Sequence, residues 1–249
     1  MPVWLVHGVE GRGQPIKLQT LTPYSDGEYR KTLAFTETPA RSVVEGGWLE
    51  ARVWAYTDDS GLWTKARYQS IFRLSRWYFE RCKIRLVDGE FSVVQGERLT
   101  EKGRLLFALP RFRAPKMGVS GTLIFLTRQL SIPWGMPARS YPLLGYSSQV
   151  LSDGAQGRKL RAAVWVRSSM IWTTMAHELG HRWGLLHIVR PYNLMLTGDG
   201  VRRSAQMLGT SLRGYFEPSR FRFTRAQCAT MRGRLKAEQK IQHLHRSKP

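Results

Sequence analysis

His177-Glu178-Leu179-Gly180-His181-Arg182-Trp183-Gly184-Leu185-Leu186-His187 is the stretch on which the fold of this chain turns. In an α-helix, residues four apart share a face, so His177 and His181 can present both imidazoles to one ion. Glu178 stands one position on, its carboxylate within reach of a water at that ion. Gly184 falls where such a helix must end. Lacking a Cβ, it enters a left-handed turn cheaply and reverses the chain, bringing His187 in as a third ligand. Three neutral imidazoles leave a tetrahedral zinc one open position, which marks a catalytic and not a structural site. Zinc lowers the pKa of its water to about 7, and Glu178 as general base takes up the proton during attack on a carbonyl. Histidine is scarce, 6 of 249 residues, so three of them with a glutamate and a glycine at these spacings are expected by chance on the order of 10⁻⁵ times per chain.

Working outward, the pattern predicts a helix from about Met170 to Trp183 capped by Ser168 or Ser169, preceded by a strand over Ala162–Val166. Asp153–Lys159 reads as a turn, Leu143–Val150 as an edge strand, and 129–142, with its prolines, as a loop. The apolar run Leu123–Leu126 is a further strand, Leu105–Leu109 a weaker one, and Pro110–Met117 a basic loop. Ile84–Val87 and Phe91–Val94 read as two strands. Thr64 caps a helix to about Lys83 that turns Tyr68, Ile71, Ser75, Tyr78 and Cys82 to one side, with Phe72 and Phe79 beside them. Ala51, Val53 and Ala55 alternate with larger or polar neighbours as in a half-buried strand. Residues 1–47 hold short β-like runs (Val3–Val6, Ile16–Leu21, Tyr29–Phe35) and form an N-terminal extension. On the other side, 188–223 reads as irregular, and Thr224-Arg-Ala-Gln227 is a capping box opening a helix to about His243. The division is therefore an extension (1–47), a catalytic domain (48–243) and a polar tail (244–249).

The eleven-residue pattern resembles that of the metzincin zinc endopeptidases, in which HExxHxxGxxH precedes a tight turn containing methionine. Asn193-Leu194-Met195 places a methionine eight residues after His187, a spacing most similar to the matrixin branch. The resemblance implies an α+β fold: a twisted mixed β-sheet with a backing helix, an active-site helix and a C-terminal helix. It implies that Met195 lies beneath the imidazoles as a hydrophobic base, and that an edge strand, by order Leu143–Val150, pairs with substrate backbone. Leu143, Leu144, Gly145 and Tyr146 are then substrate-binding residues and the enzyme an endopeptidase, because strand addition reads main chain. It also implies a pocket wall after the methionine, where Arg202, Arg203, Arg213, Arg220 and Arg222 suggest a preference for acidic residues near the scissile bond; solvated loop arginines are the plainer reading.

The departures point to a divergent member. No histidine lies between His7 and His177, so a second, structural zinc has no imidazoles, and Asp88 and Asp153 are the only aspartates from 60 to 198, too few for the usual calcium sites. One catalytic Zn2+ is the cofactor expected. No cysteine precedes Cys82, so a thiol latch from a pro-segment is absent from this chain. Ile188 stands where the matrixin branch has a small polar residue, and Thr197 where the astacin-like branch has tyrosine.

Composition bounds the rest. Charged residues at 23% and apolar residues at 42% suit a soluble globular chain, and no apolar run approaches the ~20 residues of a membrane span. Met1–His7 lacks the features of a signal peptide, so the chain as it stands reads as intracellular, whereas the resemblance implies secretion. A monomer is expected. Cys82 and Cys228 read as free, buried thiols, a single disulfide being the alternative. The net charge of +21 favours acidic partners: an acidic polypeptide substrate or, in a rival reading, nucleic acid bound by a basic module or tethering the protease. A zinc amidase acting on a non-protein amide is a third reading. His243 and His245 suit an exposed tail better than a metal site.

Overall fold

The computed structural model describes residues 33–59, 61–94, 100–101, 104–105, 121–127, 145–148, 151–152, 159–160, 163–167, 173–210 and 217–246. Five strands form one sheet: β1 (Leu49–Asp58), β2 (Ile84–Val94), β3 (Thr122–Thr127), β4 (Gly145–Ser148) and β5 (Ala163–Arg167), in the order β2-β1-β3-β5-β4. The first three pairings are parallel, and β4 joins β5 antiparallel at the edge, so the sheet is mixed and the fold α+β. Among the described residues four α-helices accompany it: α1 (Lys65–Glu80), α2 (Thr174–Arg182), α3 (Gly198–Met207) and α4 (Arg225–Arg246).

Burial follows position in the sheet. β1 lies between two parallel neighbours. It alternates at first, Ala51 and Val53 buried and Arg52 exposed, and is buried throughout from Ala55 to Asp58. β3 is buried from Thr122 to Leu126. Central parallel strands are covered on both faces, which is why β3 reads as an apolar run and why β1, expected to be half-buried, is buried through its second half. β2 was expected as two strands, because Asp88-Gly89-Glu90 looks like a turn. It is one strand with a bulge: Val53 pairs with Asp88 and Trp54 with Glu90, skipping Gly89. A Cβ on Gly89 would stand 2.7 Å from the Trp54 ring, so glycine is what lets the backbone pass.

α1 begins as expected, with the Thr64 side chain accepting from the Arg67 amide. The predicted face is buried: Tyr68, Ile71, Ser75, Tyr78 and Cys82 are at most 1% exposed. Phe79 packs edge-on to Trp183 of the α2 cap (5.1 Å) and against Phe223 (5.0 Å). Full burial of such a ring contributes about 1.5–3 kcal/mol. This aromatic cluster thus fixes α2 between α1 and the start of α4, while its other contacts are with β5 and the edge strand β4.

Several expectations are corrected. Cys82 and Cys228 are not free thiols: the C-terminal end of α1 and the first turn of α4 bring their Cα atoms to 4.9 Å, and a disulfide joins them. Within 188–223, expected to be irregular, α3 runs for ten residues behind a Thr197 cap that accepts from Gly200, and Pro218–Arg220 forms a 3₁₀ turn. Ala34–Glu37 is also 3₁₀, so the Tyr29–Phe35 run does not end as a strand. Leu151–Ser152 pairs with Lys159–Leu160, so Lys159 belongs to a short ladder and not to the turn. α4 extends to Arg246. The runs Val3–Val6 and Ile16–Leu21, the basic loop 110–117 and the loop 129–142 lie outside the described residues. So do Leu143, Leu144, Ser168, Ser169, Met170 and Arg213. Residues 33–47 lie along α1, with Leu33 fully buried, Phe35 edge-on to Trp77, and the Val43 amide donating to the Arg81 carbonyl. Among the described residues no helix is long and apolar enough to cross a membrane.

Candidate metal centre

α2 is buried along almost its whole length, and of Thr174–Arg182 only His177 is partly open. Its end is built by Gly184, at φ +86°. The Leu185 amide donates to the Gly180 carbonyl at 3.0 Å and the Gly184 amide to the His181 carbonyl at 2.9 Å, the paired bonds of a Schellman motif. The reversed chain then places the Leu185 carbonyl 2.7 Å from His181 Nδ1. One turn therefore both ends the helix and orients the second histidine.

Further on, the turn at Asn193–Leu196 is closed by a bond from the Leu196 amide to the Asn193 carbonyl (3.1 Å). It presents the Leu194 carbonyl 2.6 Å from His177 Nδ1. The Ile188 amide donates to the Met195 carbonyl at 3.0 Å, tying the segment after His187 to the same turn. Met195 is fully buried, and a Cβ on Gly180 would stand 2.6 Å from its sulfur. Glycine at 180 is thus what allows the methionine to press against the helix. Tyr192 enters this turn at φ +55°, uncommon for a bulky side chain. Arg220 donates to its hydroxyl at 3.1 Å and lies over its ring.

The outcome is convergence. The Nε2 atoms of His177, His181 and His187 lie 3.0 Å from one another. His177 and His181 donate Nδ1–H to backbone carbonyls, which fixes the tautomer and leaves each Nε2 with a lone pair facing the common centre. Lone pairs turned on one another at this distance repel, and a cation among them reverses the sign. Three neutral imidazole nitrogens suit zinc, and the donor set fits that ion. Among the described residues this is the one group of three or more histidine, cysteine, aspartate or glutamate side chains close enough to share a metal. Glu178 is only 7% exposed, and desolvation pushes its carboxyl up to about 8.

The substrate-binding expectations divide. Gly145 and Tyr146 fall in the edge strand β4, which borders α2. Arg203 is exposed on α3, Arg222 is exposed and bridges to Asn193 through its backbone, and Arg220 is engaged with Tyr192. Arg202 is in α3, its side chain outside the described residues. Leu186 and Val189, on either side of His187 in sequence, are 62% and 84% exposed, which the sequence did not signal. The sequence reading also missed Arg182, which donates twice to the Glu238 carboxylate (2.7 and 3.2 Å) and ties α2 to α4. A further omission was Gln227, whose capping box was read but whose reach to Asn193 (2.9 Å) is a contact across 34 residues that no local pattern signals.

No family model matches the chain, and no curated protein matches it. Among solved structures it is similar to metalloproteinase-II from Bacteroides fragilis, at 14% identity and a TM-score of 0.42, covering 72% of this chain and 60% of that one. It is also similar to archaemetzincin from Methanopyrus kandleri, at 16% identity and a TM-score of 0.44, over 78% of this chain and 99% of that one. A zinc-dependent peptidase from Methanocorpusculum labreanum aligns at 14% identity and a TM-score of 0.38, over 72% of this chain and 99% of its own. All three likenesses are remote.

Proposed function

We propose that this chain is a zinc-dependent endopeptidase in which His177, His181 and His187 hold the metal and Glu178 is the general base. The observation that carries the reading is the meeting of three Nε2 atoms at 3.0 Å, two of them aimed by carbonyls on their far nitrogens. Bound zinc would supply Lewis acidity, drawing the pKa of a coordinated water towards about 7. Glu178 accepts the proton that the attacking water gives up and returns it to the departing amine. Its burial withdraws it from bulk water. Met195 is the apolar floor of the site, and its contact with the helix at Gly180 supports that role.

Interior cleavage is supported by β4, which ends the sheet order and borders α2. An extended substrate can add to such an edge through its main chain alone. The exposed Arg203 and Arg222, after the Met195 turn, support a preference for acidic residues near the scissile bond.

The test is zinc analysis paired with digestion of an unstructured protein, comparing wild type, Glu178→Ala and chelator-treated samples. Wild type should carry one zinc and cleave within the chain. Glu178→Ala should keep the zinc and lose roughly 10²–10⁴ of the rate. Equal proteolysis by the variant removes Glu178 as base, and cleavage that survives full chelation removes the metal.

A further inference from the structure

A pair of amide side chains, one beside the site and one on a distant element, is not used by the reaction outlined above. We propose that Asn193 and Gln227 are a positioning pair, through which the first turn of α4 sets the orientation of His177 and hence the affinity for the metal. This rests on the zinc reading of the site.

Gln227 is fixed before it touches anything near the metal. Its side-chain oxygen accepts from the Thr224 amide at 2.9 Å, and its own amide donates to Thr224 Oγ1 at 3.2 Å. This reciprocal cap holds both backbone and side chain in place. The held amide then faces a second one. Asn193 Nδ2 donates to Gln227 Oε1 at 2.9 Å, and Gln227 Nε2 donates to Asn193 Oδ1 at 3.1 Å. Asn193 Oδ1 also accepts from the Met195 amide at 2.8 Å, closing the turn from within. Leu194 sits between those two anchored residues, and its carbonyl takes the Nδ1 proton of His177.

Only the last of these links is common to metal-binding histidines in general. The others tie the turn to α4 and give it a support it lacks alone. Asn193 is 2% exposed, so without Gln227 its amide would be left short of partners away from water. Tyr192, just before it, holds a left-handed conformation that its surroundings must maintain. A carbonyl displaced by a few tenths of an ångström turns the imidazole it holds, and Nε2, on the far side of the ring, moves with it.

A plainer role for Gln227, as a helix cap alone, predicts a different set of variants. Thr224→Ala removes the hydroxyl half of the cap and leaves the amide pair. Asn193→Ala removes the pair and leaves the cap. Gln227→Ala removes the pair and the side-chain half of the cap, leaving the Thr224 hydroxyl on the backbone amide at 227. Zinc affinity is measured by chelator competition at a temperature where all variants are folded, alongside thermal unfolding of the metal-free proteins. Gln227→Ala and Asn193→Ala should each bind zinc about 10–100-fold more weakly than wild type, with the double variant no weaker than the poorer single. Thr224→Ala should unfold earlier yet bind zinc as wild type does. In the metal-free protein, the Nδ1 proton of His177 should exchange with water faster in both pair variants, by nitrogen-15 NMR. Wild-type affinity in Gln227→Ala, or an equal loss in Thr224→Ala, overturns the proposal. Should Gln227→Ala fail to fold, Asn193→Ala decides by the same criterion. His187→Ala separates this from the zinc reading itself. If wild type binds no better than that variant, both fall; if wild type binds and His187→Ala does not, an unaffected Asn193→Ala sinks the positioning role alone.

Discussion

At the scale of single residues, Glu178 shows how a site can be costly without its ion. A carboxyl 7% exposed and pushed by desolvation from 4.5 to about 8 prefers its proton in the folded chain. The folded protein therefore holds a proton that the unfolded chain gives up near pH 4.5. This contribution to stability is whole below that pH and is lost as pH rises through about 8. The shift corresponds to a few kcal/mol at most. Chelator-treated wild type should thus lose stability steadily between pH 5 and 8, while Glu178→Gln, uncharged throughout, should lose less. Melting curves across that range check this, and parallel pH dependences would mean that Glu178 is solvated. A cation beside the carboxylate favours its charged form, so zinc should flatten the wild-type slope. The cluster of His177, His181 and His187 was legible because a helix and the turn that ends it convert sequence spacing into geometry. Asn193 and Gln227 were not, since what joins them is tertiary packing between a turn and a helix 34 residues apart.

At the scale of elements, the sequence spoke clearly where local chemistry decides the outcome. Thr64 and Thr224 marked helix starts that the structure bears out, each hydroxyl accepting from the amide three residues on. α3 was missed despite the Thr197 cap, because Gly198 and Gly200 fill its first turn and glycine is a poor helix former. A Cβ on Gly200 would stand 2.6 Å from Leu196, so here packing chose glycine over propensity. The opposite error split β2 at Gly89, where a bulge looks like a turn. Gly184 is the element boundary on which the site depends most. At φ +86°, and with an added Cβ 3.3 Å from Arg234 Nε, alanine would be strained and crowded. Gly184→Ala should lower stability by about 1–2 kcal/mol. Because the same turn aims the Leu185 carbonyl at His181, zinc affinity should fall with it. Urea unfolding with chelator competition tests both. A variant as stable as wild type would show that the turn can form without a left-handed residue.

At the scale of the whole molecule, the order of elements and their mixed sheet were readable, but the closure of the chain was not. Two cysteines without CxxC neighbours gave no reason to prefer a pair over two buried thiols. Only the fold brings residues 146 apart within bonding range. The bond joins the end of α1 to the first turn of α4, and the loop it closes carries β2 to β5, α2 and α3 but not β1. It is adjacent in sequence to Gln227, and Arg232 on the same helix donates to the carbonyls of Cys82, Lys83 and Gly47. The start of α4 is therefore held twice, by a covalent bond and by a buried guanidinium. A crosslink over so long a loop restricts the unfolded chain strongly, and its loss costs about 2–5 kcal/mol. Cys82→Ser with Cys228→Ser should accordingly lower the melting temperature by several degrees, and reductant should do the same to wild type. Arg232 keeps α4 seated after the bond is cut, so the folded double variant should still bind zinc with affinity near that of wild type. Alkylation under denaturing conditions, read by mass spectrometry, tests the premise: unreduced protein should take up no label, and reduced protein two. Two labels without reductant would restore the free thiols, and a double variant that folds but loses zinc would make the disulfide part of the site's support.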